Sequence, residues 1–353
     1  MKNIITLFLI VFVSAELSFA QNVNPADTSK KTEKSSDGKI QYIIAAKQLK
    51  LTGYTQPRFQ YFQDTTKIST FDIRRARLAL TGNMTDKIEY RFFAEFGGSV
   101  PPQLLEAIFT YKADDRLKVA VGQMLVPLGN DIIASETKME SVNRVVLSEV
   151  LGARGQDVIG NQNARDIGLS VAGTFKRKDE ADFFKYTIGV FNGTGINKLD
   201  NNQDKAIAGR MLISPVKNLW AGGSYYNGSS RWGDDVTIDK NRDRYAFELE
   251  YKWKTLILRS EYMAGQDDTI NRYGYYVQLI GDIIPKKIQL SGRFEFFDFN
   301  EAVVDDGIYL YTITPSYLWG DNAKVQFGYD IVMEESTEQK KNNVFQAQFQ
   351  LAF

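Results

Sequence analysis

Arg244-Tyr-Ala-Phe-Glu-Leu-Glu-Tyr-Lys-Trp253 alternates without a break. Successive side chains of an extended strand point to opposite faces, so Tyr245, Phe247, Leu249, Tyr251 and Trp253 share one face, and Arg244, Glu248, Glu250 and Lys252 share the other. Such a strand borders hydrocarbon on one side and water on the other. The pattern recurs: Tyr90, Phe92, Ala94 and Phe96 oppose Glu89, Arg91 and Glu95, and Val325, Phe327, Tyr329 and Ile331 oppose Lys324, Gln326 and Asp330. Turning either strand over would place charges in lipid at about 2–4 kcal/mol per midplane Arg or Lys, and several of these exceed the stability of a domain. Barrels that hold lipid outside and water inside ask for this arrangement over hundreds of residues.

Outward from this segment, period-2 runs follow one another from residues 49–62 to residues 343–353, about 16 in all, each close to the ~9–11 residues a tilted strand needs to cross a bilayer. The links between them alternate in length. Short ones carry turn chemistry, as in Asn83-Met-Thr-Asp86 and Gly320-Asp-Asn322, while Gly-, Asn- and Asp-rich stretches such as 193–205, 228–243, 266–271 and 334–342 are longer. With the first strand running outward, every long link falls at one end, as in outer-membrane barrels. Tyr111, Tyr225, Tyr251, Trp253, Tyr317 and Trp319 near strand ends fit interfacial aromatic girdles. The expected fold is all-β: a 16-stranded antiparallel transmembrane β-barrel over residues 48–353.

Between Gln123 and Arg165 the alternation stops for about 40 residues, far beyond ordinary loop length. Residues 126–163 form the third outer link. Val142, Val145, Val146, Val150 and Leu151 are too apolar for a segment that stays in water, so this extracellular loop is expected to fold into the lumen as a constriction. Thr137-Lys-Met-Glu140 has the spacing of a capping box for a short helix there.

The first residues speak to compartment. Lys2, the apolar run 4–13 and Ser18-Phe19-Ala20 before Gln21 have the layout of a secretory signal peptide over 1–20, and the run is too short to span a bilayer. Residues 21–47, rich in Asp, Ser, Thr, Lys and Asn, read as a flexible periplasmic lead-in. The 353-residue chain has 43 Lys+Arg, 43 Asp+Glu, no His and no Cys. Zero net charge gives no long-range pull on nucleic acid or any other partner. Without Cys there is no disulfide framework; without His and Cys the usual zinc and copper ligands and any Ser-His-Asp machinery are excluded, and no cofactor site is expected. Carboxylate-only chemistry stays open on composition. Aromatic residues make up 13% of a chain whose mean hydropathy is only −0.30, and they stand singly beside charges rather than in core runs.

Three ordered motifs, Phe71-Asp-Ile-Arg-Arg-Ala-Arg-Leu-Ala-Leu-Thr-Gly82, Gly122-Gln-Met-Leu-Val-Pro127 and Arg165-Asp-Ile-Gly-Leu-Ser-Val-Ala-Gly173, resemble the phosphate-selective porin O and P family of bacterial outer membranes. The terminal Phe345, Ala347, Phe349, Leu351 and Phe353, alternating with glutamines, looks like the strand by which such barrels are presented to the barrel assembly machinery. The resemblance implies a homotrimer in outer-membrane lipid, each barrel a water-filled channel for small hydrophilic solutes, with members that prefer phosphate or other anions and line the channel with Arg and Lys.

The pore-lining and solute-binding candidates are Arg75, Arg77, Arg91, Lys118, Arg144, Arg154, Arg210, Arg259 and Arg293, with Lys185 also facing inward. Glu89, Glu95, Glu106, Glu248, Glu261 and Glu295 share that surface, which predicts near balance and makes any anion preference local. Arg144 and Arg154 on the loop are expected to face Arg75, Arg77 and Arg91 on the wall. Asp131, Glu136, Glu140, Glu149 and Asp157 on the same loop permit the opposite geometry, acid facing base. Each arginine taken alone is also well read as half of an ion pair, Arg75 with Glu89 or Glu95 for example. A general porin with mixed-charge lining is the alternative. A barrel enzyme or carbohydrate-binding protein using Trp232 with Asp234 and Asp235, or Asp267 and Asp268, belongs to another class, as does a soluble secreted sandwich.

Overall fold

In the computed structural model, which describes residues 47–98 and 101–353, the chain closes into one sheet. The strands are β1 (Lys47–Phe62), β2 (Thr70–Asn83), β3 (Ile88–Glu95), β4 (Gln103–Asp114), β5 (Leu117–Leu125), β6 (Arg165–Lys176), β7 (Asp182–Phe191), β8 (Ala206–Ile213), β9 (Leu219–Ser230), β10 (Lys240–Trp253), β11 (Leu256–Asp267), β12 (Ile270–Ile284), β13 (Ile288–Asp298), β14 (Ile308–Trp319), β15 (Ala323–Glu334) and β16 (Val344–Ala352). Each pairs antiparallel with its neighbours in sequence, and β1 pairs with β16 through partners such as Phe59 and Ala347, so the ladder has no edge. Phe353 exchanges both backbone bonds with Gly53, at 3.0 and 2.9 Å. No described helix is long and apolar enough to cross a membrane; the strands do the crossing. The expected signal peptide, 1–20, and the lead-in, 21–47, lie outside the described residues but for Lys47, which opens β1.

The two faces separate as the alternation requires. Tyr245 and Phe247 are exposed on the outer surface (45% and 63%), whereas Arg244 and Glu248 beside them are 0% and 8% exposed, on the inside. Phe327 likewise points out and Gln326 in. Phe92 sits on the outer face against Tyr90 and Phe109. Outward rings touch from strand to strand across β10–β14, through Tyr245–Tyr262, Tyr262–Tyr273, Tyr273–Phe296 and Phe294–Tyr311, the kind of girdle an interface selects.

Links 84–87, 115–116, 177–181, 214–218, 254–255, 285–287 and 320–322 lie at one end, and links 63–69, 126–164, 192–205, 231–239, 299–307 and 335–343 lie at the other. One expected long link is short: β11 and β12 run together until Asp267 pairs with Ile270, leaving only 268–269. Asp268 takes the left-handed conformation (φ 56°) that a turn this tight demands and an aspartate tolerates.

A second irregularity matters more. Pro57 has no N–H to give the ladder, and the β1–β2 register steps from Gln56 opposite Arg75 to Pro57 opposite Ile73. Arg74 is the bulged residue, so two consecutive arginines, rather than alternate ones, bond to groups inside the barrel: Arg74 Nη1 donates to the carbonyl of Val142 at 2.5 Å and Arg75 Nη1 to Gln56 Oε1 at 3.0 Å.

The lipid-facing assignment makes a testable demand. Phe247→Arg, at the middle of β10, is expected to lower unfolding free energy in bilayers by about 2–4 kcal/mol, read from urea unfolding of the refolded protein. A change near zero would mean that this face meets water.

Candidate constriction and pore lining

Residues 126–164 cross the barrel against its inner wall. They contain α1 (Asn130–Ile133), a 3₁₀ turn (Glu136–Lys138) and α2 (Val146–Leu151). The expected capping box at Thr137 starts no helix; Thr137 lies within the 3₁₀ turn, and the helices sit on either side of it. Instead the wall caps them. Glu261 of β11 accepts from the backbone N–H of Asn130 and Asp131 at 3.1 and 3.2 Å, and Glu295 of β13 accepts from that of Val146 at 2.6 Å. Gly129 (φ 63°) precedes α1 where a side chain would collide with the Glu261 carboxylate, which fixes the residue type.

Between the helices the loop is extended, and its polar groups are met by wall side chains. Lys324 Nζ donates to Met139 O at 2.5 Å and Gln326 Nε2 to Glu140 O at 3.0 Å. Gln278 Nε2 donates to Ser141 Oγ at 3.2 Å, Arg293 Nη1 to Asn143 O at 3.0 Å, and Asn143 Nδ2 to Asp330 Oδ2 at 2.9 Å. Residues 139–143 are thus laced across β12–β15. Of the apolar residues anticipated above, Val142, Val145, Val150 and Leu151 are at most 2% exposed and Val146 is half-buried. Val145, Val150 and Leu151, with Val126, Leu128 and Ile132, form one cluster with Ala208, Tyr226, Ala246, Met263 and Phe297 of the wall. The loop therefore carries its own small core, docked on a patch where the inner wall is small or aromatic rather than charged.

Glu136 is the polar centre. Its carboxylate takes Arg77 Nη1 at 3.0 Å from β2 and Arg144 Nη2 at 2.9 Å from the loop, with Arg154 Nη1 at 3.7 Å and the Tyr54 hydroxyl at 3.4 Å. Burial alone would raise its pKa, but the guanidiniums of Arg77, Arg144, Arg75 and Arg154 hold the carboxyl well below the usual carboxylate range.

The structure brings most of the candidate cations to carboxylates. Arg77 pairs with Glu95 at 2.5 Å and with Glu136; Arg91 pairs with Glu106 at 2.6 Å; Arg210 forks onto Glu248 at 2.7 and 2.5 Å. Arg259 bridges Glu140 of the loop and Glu250 of the wall at 2.9 and 3.0 Å, and Arg293 pairs with Glu295 at 2.8 Å. With Arg144 and Arg154 on Glu136, seven of the nine candidates are paired, and loop acid facing wall base is the geometry observed. Lys118, half-buried near the short-turn end of β5, and Arg75 have no carboxylate within ion-pair distance among the described residues. The expected pairing of Arg75 with Glu89 or Glu95 is replaced: the β2–β3 register sets Glu95 opposite Arg77, and Glu89 is taken by Lys112.

Several residues of this network escaped the sequence reading. Arg165 completes the pair on Glu106 at 2.6 Å, and Arg242 closes the loop's far end by forking onto Asp157 at 2.9 Å. Arg74 enters only because of the bulge, for which Pro57 inside a strand was the available signal. Asp267 is held by Arg244 and Arg272 at 2.5 and 2.7 Å, and Asp235 accepts from Thr237 in its own turn.

A closed barrel of 16 antiparallel strands, greasy outside, charged inside and narrowed by an inward loop, is an outer-membrane porin. The family model for phosphate-selective porin O and P matches residues 52–240, and the chain belongs to that family. No curated protein sequence matches it. Among solved structures it resembles Salmonella typhi OmpF in complex with daunomycin (TM-score 0.65, 12% identity, covering 88% of this chain and 98% of that one). It also resembles OmpT of Vibrio cholerae in a trimer form (0.61, 11%, 87% and 99%) and the outer membrane channel DcaP of Acinetobacter baumannii (0.60, 12%, 86% and 97%). At such identities these likenesses speak to the fold.

Because Glu136 is buried among cations, Glu136→Gln should cost about 3–5 kcal/mol of unfolding free energy at neutral pH. The sign with pH follows from its depressed folded pKa. Its contribution is complete above the unfolded value, about 4.3, and is lost as pH falls through the lower folded value. Thermal unfolding of wild type and variant should differ by a constant amount from pH 7 to about 5 and converge in stronger acid. A difference that grows on acidification would contradict the network.

Proposed function

We propose that this porin passes small hydrophilic solutes down their gradient with a weak preference for anions such as phosphate, and that the preference arises at the β2 bulge. One observation carries the reading: Arg74 and Arg75 enter the barrel side by side, and neither has a carboxylate within ion-pair distance among the described residues. The seven paired cations are locally neutralised. Charges spread around a wide aqueous lumen are damped over a Debye length of about 8 Å, whereas those set in a low-dielectric wall at the narrow section are not. The description of the family supports the same sign.

Around this core, residues 1–20 act as an export signal and 21–47 as a periplasmic lead-in, and the terminal strand addresses the chain to the barrel assembly machinery. The protein functions as a homotrimer in outer-membrane lipid, in keeping with the trimeric form of a structural neighbour. It makes and breaks no bonds and needs no cofactor. The density of internal ion pairs favours a second reading, a general pore of mixed lining.

Reversal potentials across a potassium chloride gradient separate the two. Wild type is expected to be anion-selective, and Arg74→Gln with Arg75→Gln should shift the reversal potential toward zero or past it. A wild-type potential near zero, indifferent to both changes, would leave the mixed-lining pore.

A further inference from the structure

Resting on the porin reading, we propose that the lumen beneath the 3₁₀ turn holds a station for organic anions with a flat apolar body, single-ring carboxylates, in preference to small hydrophilic anions of the same charge. A cavity of about 320 Å³ lies there between β1–β5 and the loop. Water-filled barrels line such space with polar side chains, yet Tyr54, Ala79, Phe93, Leu125 and Ile133 all form part of this wall. Phe93 is the anomaly: between Arg91 and Glu95 on the wet face of β3, it is a phenyl ring where alternation calls for a polar group.

The ring is surrounded by charge. The guanidinium of Arg91 lies 4.8 Å from its centroid, and those of Arg77 and Arg165 lie 5.6 Å away. Cations over its face hold the ring in place and give the cavity an aromatic wall with donors beside it. One of those donors has capacity left. Arg91 spends Nε on Glu106, its side chain is 38% exposed, and its terminal nitrogens have no hydrogen-bond partner among the described residues. Arg154, which also lines the cavity, is committed: it is 4% exposed, gives Nη2 to Ile132 O at 2.6 Å and sets Nη1 3.7 Å from Glu136. A carboxylate in the cavity can take the terminal nitrogens of Arg91. Apolar walls with a few convergent donors, in a volume of this order, are the makings of a small-molecule site. Acetate could use the donors only; benzoate could use the donors and the wall.

Block of the potassium chloride current by added benzoate and acetate, in planar bilayers with the full-length protein, tests this. Benzoate should interrupt current at concentrations about tenfold below acetate, the scale of one aromatic contact. Phe93→Leu should narrow that gap several-fold and Phe93→Tyr should keep it. If Phe93→Leu fails to assemble, as judged by heat-modifiable gel mobility, Ile133→Ala on the opposite wall should narrow the gap in its place. Equal block by the two acids, or a gap that survives these changes, overturns the station while leaving the pore intact. No conductance from wild type at all overturns the porin reading beneath it.

Discussion

Peptide groups in hydrocarbon have no water to bond, so each N–H and C=O that enters the membrane must find another peptide group. Closing β1 onto β16 answers this demand, and the rest of the molecule follows from it. A closed ribbon sends alternate side chains to a single inside and a single outside. The outside receives the aromatic and aliphatic residues of the strands, and the inside receives strand charges such as Arg77, Glu95, Arg244 and Glu248. The fold is thus an arrangement for keeping charges together in a confined space, and the balance of their signs becomes a structural requirement.

That confinement explains the loop. About 40 residues entering such a lumen bring their own peptide groups and must have them met, a smaller version of the same problem. The wall meets them with side chains instead of a ladder: Lys324, Gln326 and Arg293 serve carbonyls, and Glu261 and Glu295 serve the open N-termini of α1 and α2. The apolar half of the loop sits where β8, β10 and β11 offer Ala208, Ala246 and Met263 rather than charge. Loop and wall share one hydrogen-bond inventory, and Glu136, touching guanidiniums from both, is where they are tied.

The alternation, the strand number, the end that carries the long links and the inward loop were all legible in the sequence, because each rests on a period or a length. What was not legible depends on register and on local exceptions. Arg75 and Arg77 are equivalent by periodicity, yet one residue of register gives Glu95 to Arg77 and leaves Arg75 with an amide. The skipped position at Pro57 carries Arg74 to a face where period-2 reading forbids it. The 268–269 turn was read as a longer link, since polar residues such as Asp267 and Asp268 mark loops, whereas here the ladder continues through Asp267 and its carboxylate holds Arg244 and Arg272. The helices of the loop carry no capping sequence of their own because their caps come from strands more than a hundred residues away.

The exceptions fall together on one part of the wall. Most internal cations are matched with carboxylates, which is the least costly way to bury charge. Against that background, two adjacent arginines with no carboxylate within ion-pair distance among the described residues, and a phenyl ring on the wet face of β3, are departures from the pattern. Sites that break the rules the rest of a protein keeps are commonly the sites that meet a ligand. Here both departures lie on β2 and β3, against the loop that folds into the barrel.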